Sequence, residues 1–207
     1  MYKSFIIAAA VAATLSVSAS AWAITNEPIH AWSNAAAQGN AKAETHLGAA
    51  YYVGQGVPQN YAEAAYWWKK AAAQGDAKAA NILGVVYYVG QGVPQNYAEA
   101  IHWWKKAAAQ GFAVAENSLG DLYYFGQGVP QNYAEAVSWW KKAAAHGFVN
   151  AENHLGAAYA IGQGVPQNTV EALYWLARAA AQENIDVEYD AQSMEQGGNA
   201  TGLASGS

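Results

Sequence analysis

Five histidines, a ladder of glutamates and repeated Gly-x-Gly steps are the residues of this chain with the types to do chemistry. His30, His46, His102, His146 and His154 are candidate metal ligands or general bases. None stands three or four residues from another, the spacing that sets two ligands on one helix face. His46 and His154 share a column of a repeat but stand three units apart, too far to share a metal. Glu63, Glu99, Glu135 and Glu171 each follow an asparagine by three residues, a helix-capping position rather than a paired general acid and base. Lys69-Lys70, Lys105-Lys106 and Lys141-Lys142 read as solvated cations near helix C-termini. Each Gly-x-Gly is followed two residues later by proline, and no Gly-x-x-x-x-Gly-Lys occurs, which argues against a phosphate loop. No serine sits in Gly-x-Ser-x-Gly, and the single Ser-x-x-Lys, Ser138 to Lys141, falls inside the Trp-Trp-Lys-Lys run of a repeat. The expectation is therefore a non-enzyme without cofactor or metal.

Composition narrows the class further. The 207 residues are 53% apolar, with 9 Trp, 14 Tyr and no Cys, and the net charge is -5. That apolar fraction excludes disorder throughout. The lack of cysteine excludes disulfides and thiolate metal sites. Lys+Arg of 10 against Asp+Glu of 15 argues against a nucleic-acid partner. Glu183, Asp186, Glu188, Asp190 and Glu195, with no nearby Lys or Arg, supply most of the acidity, so it belongs to the C-terminal end.

The elements that would position any site follow from a repeat. GQGVPQN starts at Gly54, Gly90, Gly126 and Gly162, a 36-residue step each time. Leu-Gly recurs at Leu47, Leu83, Leu119 and Leu155, and Trp pairs recur at Trp67, Trp103 and Trp139. Units cut at 40–75, 76–111, 112–147 and 148–183 each read as two helices. Helix B starts after Asn60, whose side chain caps free N–H groups with Glu63 completing a capping box, and stops at Gly75. Helix A runs from about Asn40 to Val53 with Ala43, Leu47 and Tyr51 as its buried stripe. One hairpin cannot bury two Trp and two Tyr, so the hairpins must stack. The fold class is all-α, an α-solenoid of four antiparallel helix hairpins. Residues 24–39 hold Trp32 and Ala35–Ala37 one period before Trp68 and Ala71–Ala73, a partial repeat that caps the array. Residues 184–207 are expected to be an acidic, partly disordered tail.

Leu-Gly-x-x-Tyr-x-x-Gly-x-Gly-Val followed by Ala-x-x-Trp-x-x-x-Ala-Ala-x-x-Gly resembles the Sel1-like repeat family, relatives of tetratricopeptide repeats. The resemblance covers 40–183. It implies an interaction scaffold, often in signalling, envelope regulation or host contact. Some secreted relatives carry a disulfide per repeat and are linked to β-lactam binding; this chain has no Cys, so that activity is not carried over.

The open side of helix A is the expected interaction surface. Positions 45, 49 and 52 point away from the buried stripe within about 60°. Thr45, Tyr52, Asn81, Val85, Tyr88, Asn117, Asp121, Tyr124 and Asn153 are the candidate protein-binding residues on a concave face. The tyrosines Tyr52, Tyr88 and Tyr124 either line that groove or pack between units. The partner is expected to be an unidentified protein or peptide; the alternative is a glycan or peptidoglycan stacking on exposed aromatic rings. Oligomeric state is open.

Residues 1–23 read as an export signal. Lys3 precedes the apolar run 5–15, and cleavage follows Ala21 or Ala23. No later apolar segment approaches a membrane span, so a soluble periplasmic or secreted mature chain is expected.

Overall fold

The computed structural model describes residues 29–182. The expected signal sequence, the first residues of the partial repeat and the acidic tail lie outside that range. Among the described residues there are nine helices and no strand. They are α1 (Ile29–Ala37), α2 (Ala41–Val53), α3 (Tyr61–Ala73), α4 (Ala77–Val89), α5 (Tyr97–Ala108), α6 (Ala113–Phe125), α7 (Tyr133–Ala145), α8 (Val149–Ile161) and α9 over 169–182. Helices α2, α4, α6 and α8 are the A helices, and α3, α5, α7 and α9 are the B helices. From α1 to α8, each packs on its neighbour in the chain, and α9 packs on α8 through Leu176 against Gly156. The architecture is the all-α solenoid that the 36-residue period requires.

Local chemistry sets the ends of each helix. The Asn60 side chain accepts from the N–H groups of Ala62 and Glu63, both at 3.1 Å. Asn96, Asn132 and Asn168 cap α5, α7 and α9 in the same way. The reciprocal half of the expected capping box is not made. The Asn60 N–H donates instead to the Tyr51 carbonyl at 2.8 Å, closing the loop back onto α2. Gly54 ends α2 at φ 82, a left-handed turn that a side chain disfavours, and its N–H donates to Ala50 O.

The two glutamines of GQGVPQN have different tasks. The second braces the loop within its unit: Gln59 Nε2 donates to Tyr52 O at 2.9 Å, and Gln95 Nε2 to Tyr88 O at 2.7 Å. The first reaches back to the preceding unit. Tyr88 OH donates to Gln127 Oε1 at 2.9 Å, and Tyr124 OH to Gln163 Oε1 at 3.0 Å. The glycine after that first glutamine lies flush on the same neighbour. A Cβ on Gly92 would sit 2.5 Å from the Tyr61 carbonyl carbon. One seven-residue loop thus ends helix A, starts helix B and docks the previous unit.

The Leu-Gly step has an equally direct cause. A Cβ on Gly48 would lie 2.6 Å from Trp68 Nε1, and Gly84 and Gly120 face Trp104 and Trp140 in the same way. The glycines let the indoles of helix B lie flat on helix A. Trp68, Trp104 and Trp140 are buried there, each against a tyrosine ring at 5.4–5.8 Å between centroids. The other Trp of each pair is half-buried beneath a cation. Lys70 lies 4.6 Å from the Trp67 ring, Lys106 4.7 Å from Trp103 and Lys142 3.7 Å from Trp139. The second lysine of each pair is therefore a cation–π partner rather than a freely solvated charge.

Three buried carboxylates tie helix A to helix B. Glu44 accepts from Gln74 Nε2 at 2.6 Å and pairs with Lys70 at 3.1 Å. Glu152 pairs with Arg178 Nε at 2.8 Å. Glu116, in the same column, has a weaker partner in His146 at 3.8 Å. Burial pushes the Glu116 carboxyl above its ordinary 4.5, against the pull of His146 and Lys142. A carboxyl raised on folding contributes stability below its unfolded pKa and loses it as pH climbs through the folded value. Glu116→Gln, neutral at every pH, should match the parent below about pH 4.5 and have the higher melting midpoint at neutral pH. Thermal melts across that range test this; a gap that does not change with pH contradicts it.

Candidate interaction surface

Helix A is enclosed from two sides. Ala43, Leu47 and Tyr51 pack on Ala36 of the preceding helix. On the other side Thr45 O accepts Trp68 Nε1 at 3.1 Å, and Tyr52 stacks on Trp68. This second contact corrects the expected open face. Thr45, Tyr52, Asn81, Val85 and Asn117 are buried. Thr45 Oγ1 donates across the junction to Asp76 at 3.1 Å. Tyr52 OH points to Gln91 of the next unit at 3.4 Å, and burial, aided by Tyr61, pushes its pKa up to about 12. Tyr88 and Tyr124 are half-buried and make the same inter-unit bond. The tyrosine ladder contributes one hydrogen bond at each junction between units. Asn153 and Asp121 remain half-exposed.

The surface that helix A does offer is turned one position along. Its last residue in each unit is Val53, Val89, Phe125 or Ile161. Val53 is 54% exposed and Phe125 and Ile161 are each 65% exposed, with Val89 half-buried between them. Four stacked units therefore carry an apolar column along one edge. Sequence reasoning passed over it. The available signal was an apolar residue before the helix-ending glycine in every copy, about 200° around from Tyr51 and so off the buried stripe.

Between the third and fourth units this column borders a pocket of about 230 Å³. Asp121, Tyr124, Phe125, Trp140, His154 and Ile161 line it. Asp121 accepts from Trp140 Nε1 and Asn117 Nδ2, both at 3.0 Å, and His154 Nδ1 stands 3.4 Å away. The His154 ring lies on Trp140, 4.6 Å between centroids. Burial pushes the Asp121 carboxyl up, while His154 and the two hydrogen bonds oppose it. The corresponding positions in other units are Ala49, Val85 and Ala157, so the third unit alone places a carboxylate in this column. Among the described residues no three His, Asp or Glu side chains converge as metal ligands. No described helix is long and apolar enough to cross a membrane.

Comparison with known proteins agrees with this architecture. The Sel1 repeat model matches four consecutive segments, 41–76, 77–112, 113–148 and 149–184. The chain belongs to the Sel1 repeat family. Similar solved structures include c5321, a protective antigen present in uropathogenic Escherichia coli strains that displays an SLR fold. It is 38% identical with a TM-score of 0.74, over 76% of this chain and 34% of that one. A Sel1 repeat protein from Oxalobacter formigenes is 36% identical with a TM-score of 0.70, over 76% of this chain and 63% of that one. This Sel1 repeat chain thus spans about a third of the first relative and under two thirds of the second. No curated protein matches it. Sel1 repeat proteins are generally non-catalytic scaffolds for protein–protein interaction.

Proposed function

We propose that this Sel1 repeat protein is an exported scaffold. It binds a protein or extended peptide along the exposed ends of its A helices, in envelope signalling, complex assembly or host contact. The observation that carries this reading is the apolar column Val53, Val89, Phe125 and Ile161, displayed by the units in register. Export is supported by Lys3 and the apolar run 5–15, and host contact by the resemblance to a protective antigen, a protein that an immune system meets. A glycan ligand has less support. The flat faces of Trp68, Trp104 and Trp140 are buried, and cations cover Trp67, Trp103 and Trp139.

Chemical crosslinking and capture from native envelope extract tests the surface. Phe125→Asp/Ile161→Asp places two charges on the column without touching the buried core. Capture should fall at least about tenfold, as for loss of central apolar anchors, with far-UV circular dichroism unchanged. Tyr66→Asp, at a residue 53% exposed on a B helix, should capture as the parent does. Equal capture by parent and double variant overturns the surface.

A further inference from the structure

The pocket between the third and fourth units combines features that single out one kind of side chain. Its rim is apolar and exposed at Phe125 and Ile161. Its floor holds one carboxylate, Asp121, whose side chain keeps 36% of its surface open. The bonds from Trp140 and Asn117 occupy two of the roughly four lone-pair sites of a carboxylate. Among the described residues no lysine or arginine pairs with Asp121; its ion-pair neighbour is His154. Two ring surfaces flank the opening, Phe125 and the 40% exposed His154 side chain.

We propose that this pocket seats an arginine side chain of an extended partner segment, with Asp121 as its counter-charge. The proposal rests on the reading of the helix-A edge as a peptide surface, and names the residue type that one subsite selects. The guanidinium is planar and weakly hydrated, so it stacks on aromatic rings while donating to a carboxylate. Its three-carbon stem lies along Phe125 and Ile161, where apolar surface is available. An entering cation offsets the penalty that burial places on the charged form of Asp121. The other units cannot offer this subsite, because alanine or valine stands in the Asp121 column.

The test uses the full chain, isotope-labelled, and three blocked pentapeptides that differ only at the centre: arginine, its neutral isostere citrulline, and leucine. The arginine peptide should shift the Trp140 indole, His154 and Ile161 resonances saturably. The citrulline peptide should bind at least about tenfold more weakly, the ratio that 1.4 kcal/mol of charge pairing gives. Asp121→Asn, which keeps an acceptor for Trp140, should erase that difference. Citrulline binding as well as arginine overturns the proposal, and needs no variant to do so. Undiminished arginine binding by Asp121→Asn, or leucine binding best, also overturns it. Pocket resonances that ignore all three peptides overturn it too, while capture that depends on Phe125 and Ile161 would leave the scaffold reading standing.

Discussion

Gly84→Ala should destabilise the protein by about 2 kcal/mol or more, lowering the urea midpoint. Helix propensity alone gives the opposite sign, since alanine in a helix interior is favoured over glycine by about 1 kcal/mol. The difference is the indole of Trp104. An added methyl at residue 84 falls on the Cδ1 and Nε1 atoms of that ring. Trp104 is itself buried, with Tyr88 against it at 5.7 Å, so it has nowhere to retreat. The fourth unit supplies an internal control. There Gly156 faces Leu176, a flexible side chain that is 41% exposed. Gly156→Ala should therefore be close to neutral, and Gly84→Ala/Trp104→Leu should recover much of the loss. A raised midpoint for Gly84→Ala would contradict the packing described for the first three units.

That glycine shows what the sequence makes legible and what it hides. Leu-Gly and Trp-Trp recur at one fixed step, so the hairpins and their stacking can be read from spacing alone. The same holds for the asparagine caps, because a cap depends on neighbours three residues away. The partner of Glu63 could not be read. Its place in a capping box is taken by a long-range bond from the Asn60 N–H to Tyr51 O. The open face was misplaced for a related reason. A hydrophobic stripe identifies one buried side of a helix, and an inner solenoid helix has two. Thr45 and Asn81 look polar and exposed by pattern, yet both are buried, and the Thr45 carbonyl accepts from Trp68 on the facing helix. The tyrosines belong to that second side, each bonded to a glutamine 39 residues further on.

Arg178→Met is the second large effect. Glu152 is buried, and Arg178 is the cation that reaches it, at 2.8 Å, while its Nη2 donates to the Ala144 carbonyl at 2.9 Å. Methionine keeps most of the stem but leaves a carboxylate without a counter-charge. Removing one partner of a buried ion pair costs about 3–5 kcal/mol, and the 39% exposure of Arg178 sets this pair toward the lower end. In a solenoid this should show first as loss of the terminal unit, because each unit is held by its neighbours alone. Amide exchange in α8 and α9 should accelerate, with α4 and α5 still protected. Glu152→Gln/Arg178→Met should restore protection, because the stranded charge is gone. Unchanged exchange in the single variant would mean that the pair does not hold the fourth unit. The equivalent pair of Glu44 and Lys70 has a second donor in Gln74, so Lys70→Met should be milder.

Both effects concern how the array is held together, whereas the proposed function concerns the edge it presents. Positions within a unit are fixed by glycine, tryptophan and buried glutamate. The last residue of helix A is exposed in three of the four copies, as Val53, Phe125 and Ile161, and half-buried against the core as Val89, yet it is apolar in all four. The most direct measurement places a photo-crosslinking benzoylphenylalanine at position 125 in one sample and at position 66 in another. Each is irradiated in native envelope extract. A discrete adduct from position 125, absent from position 66 and suppressed by Ile161→Asp, is the predicted result. An adduct from position 66 alone, or the same adducts from both positions, would place the partner elsewhere than the helix-A edge.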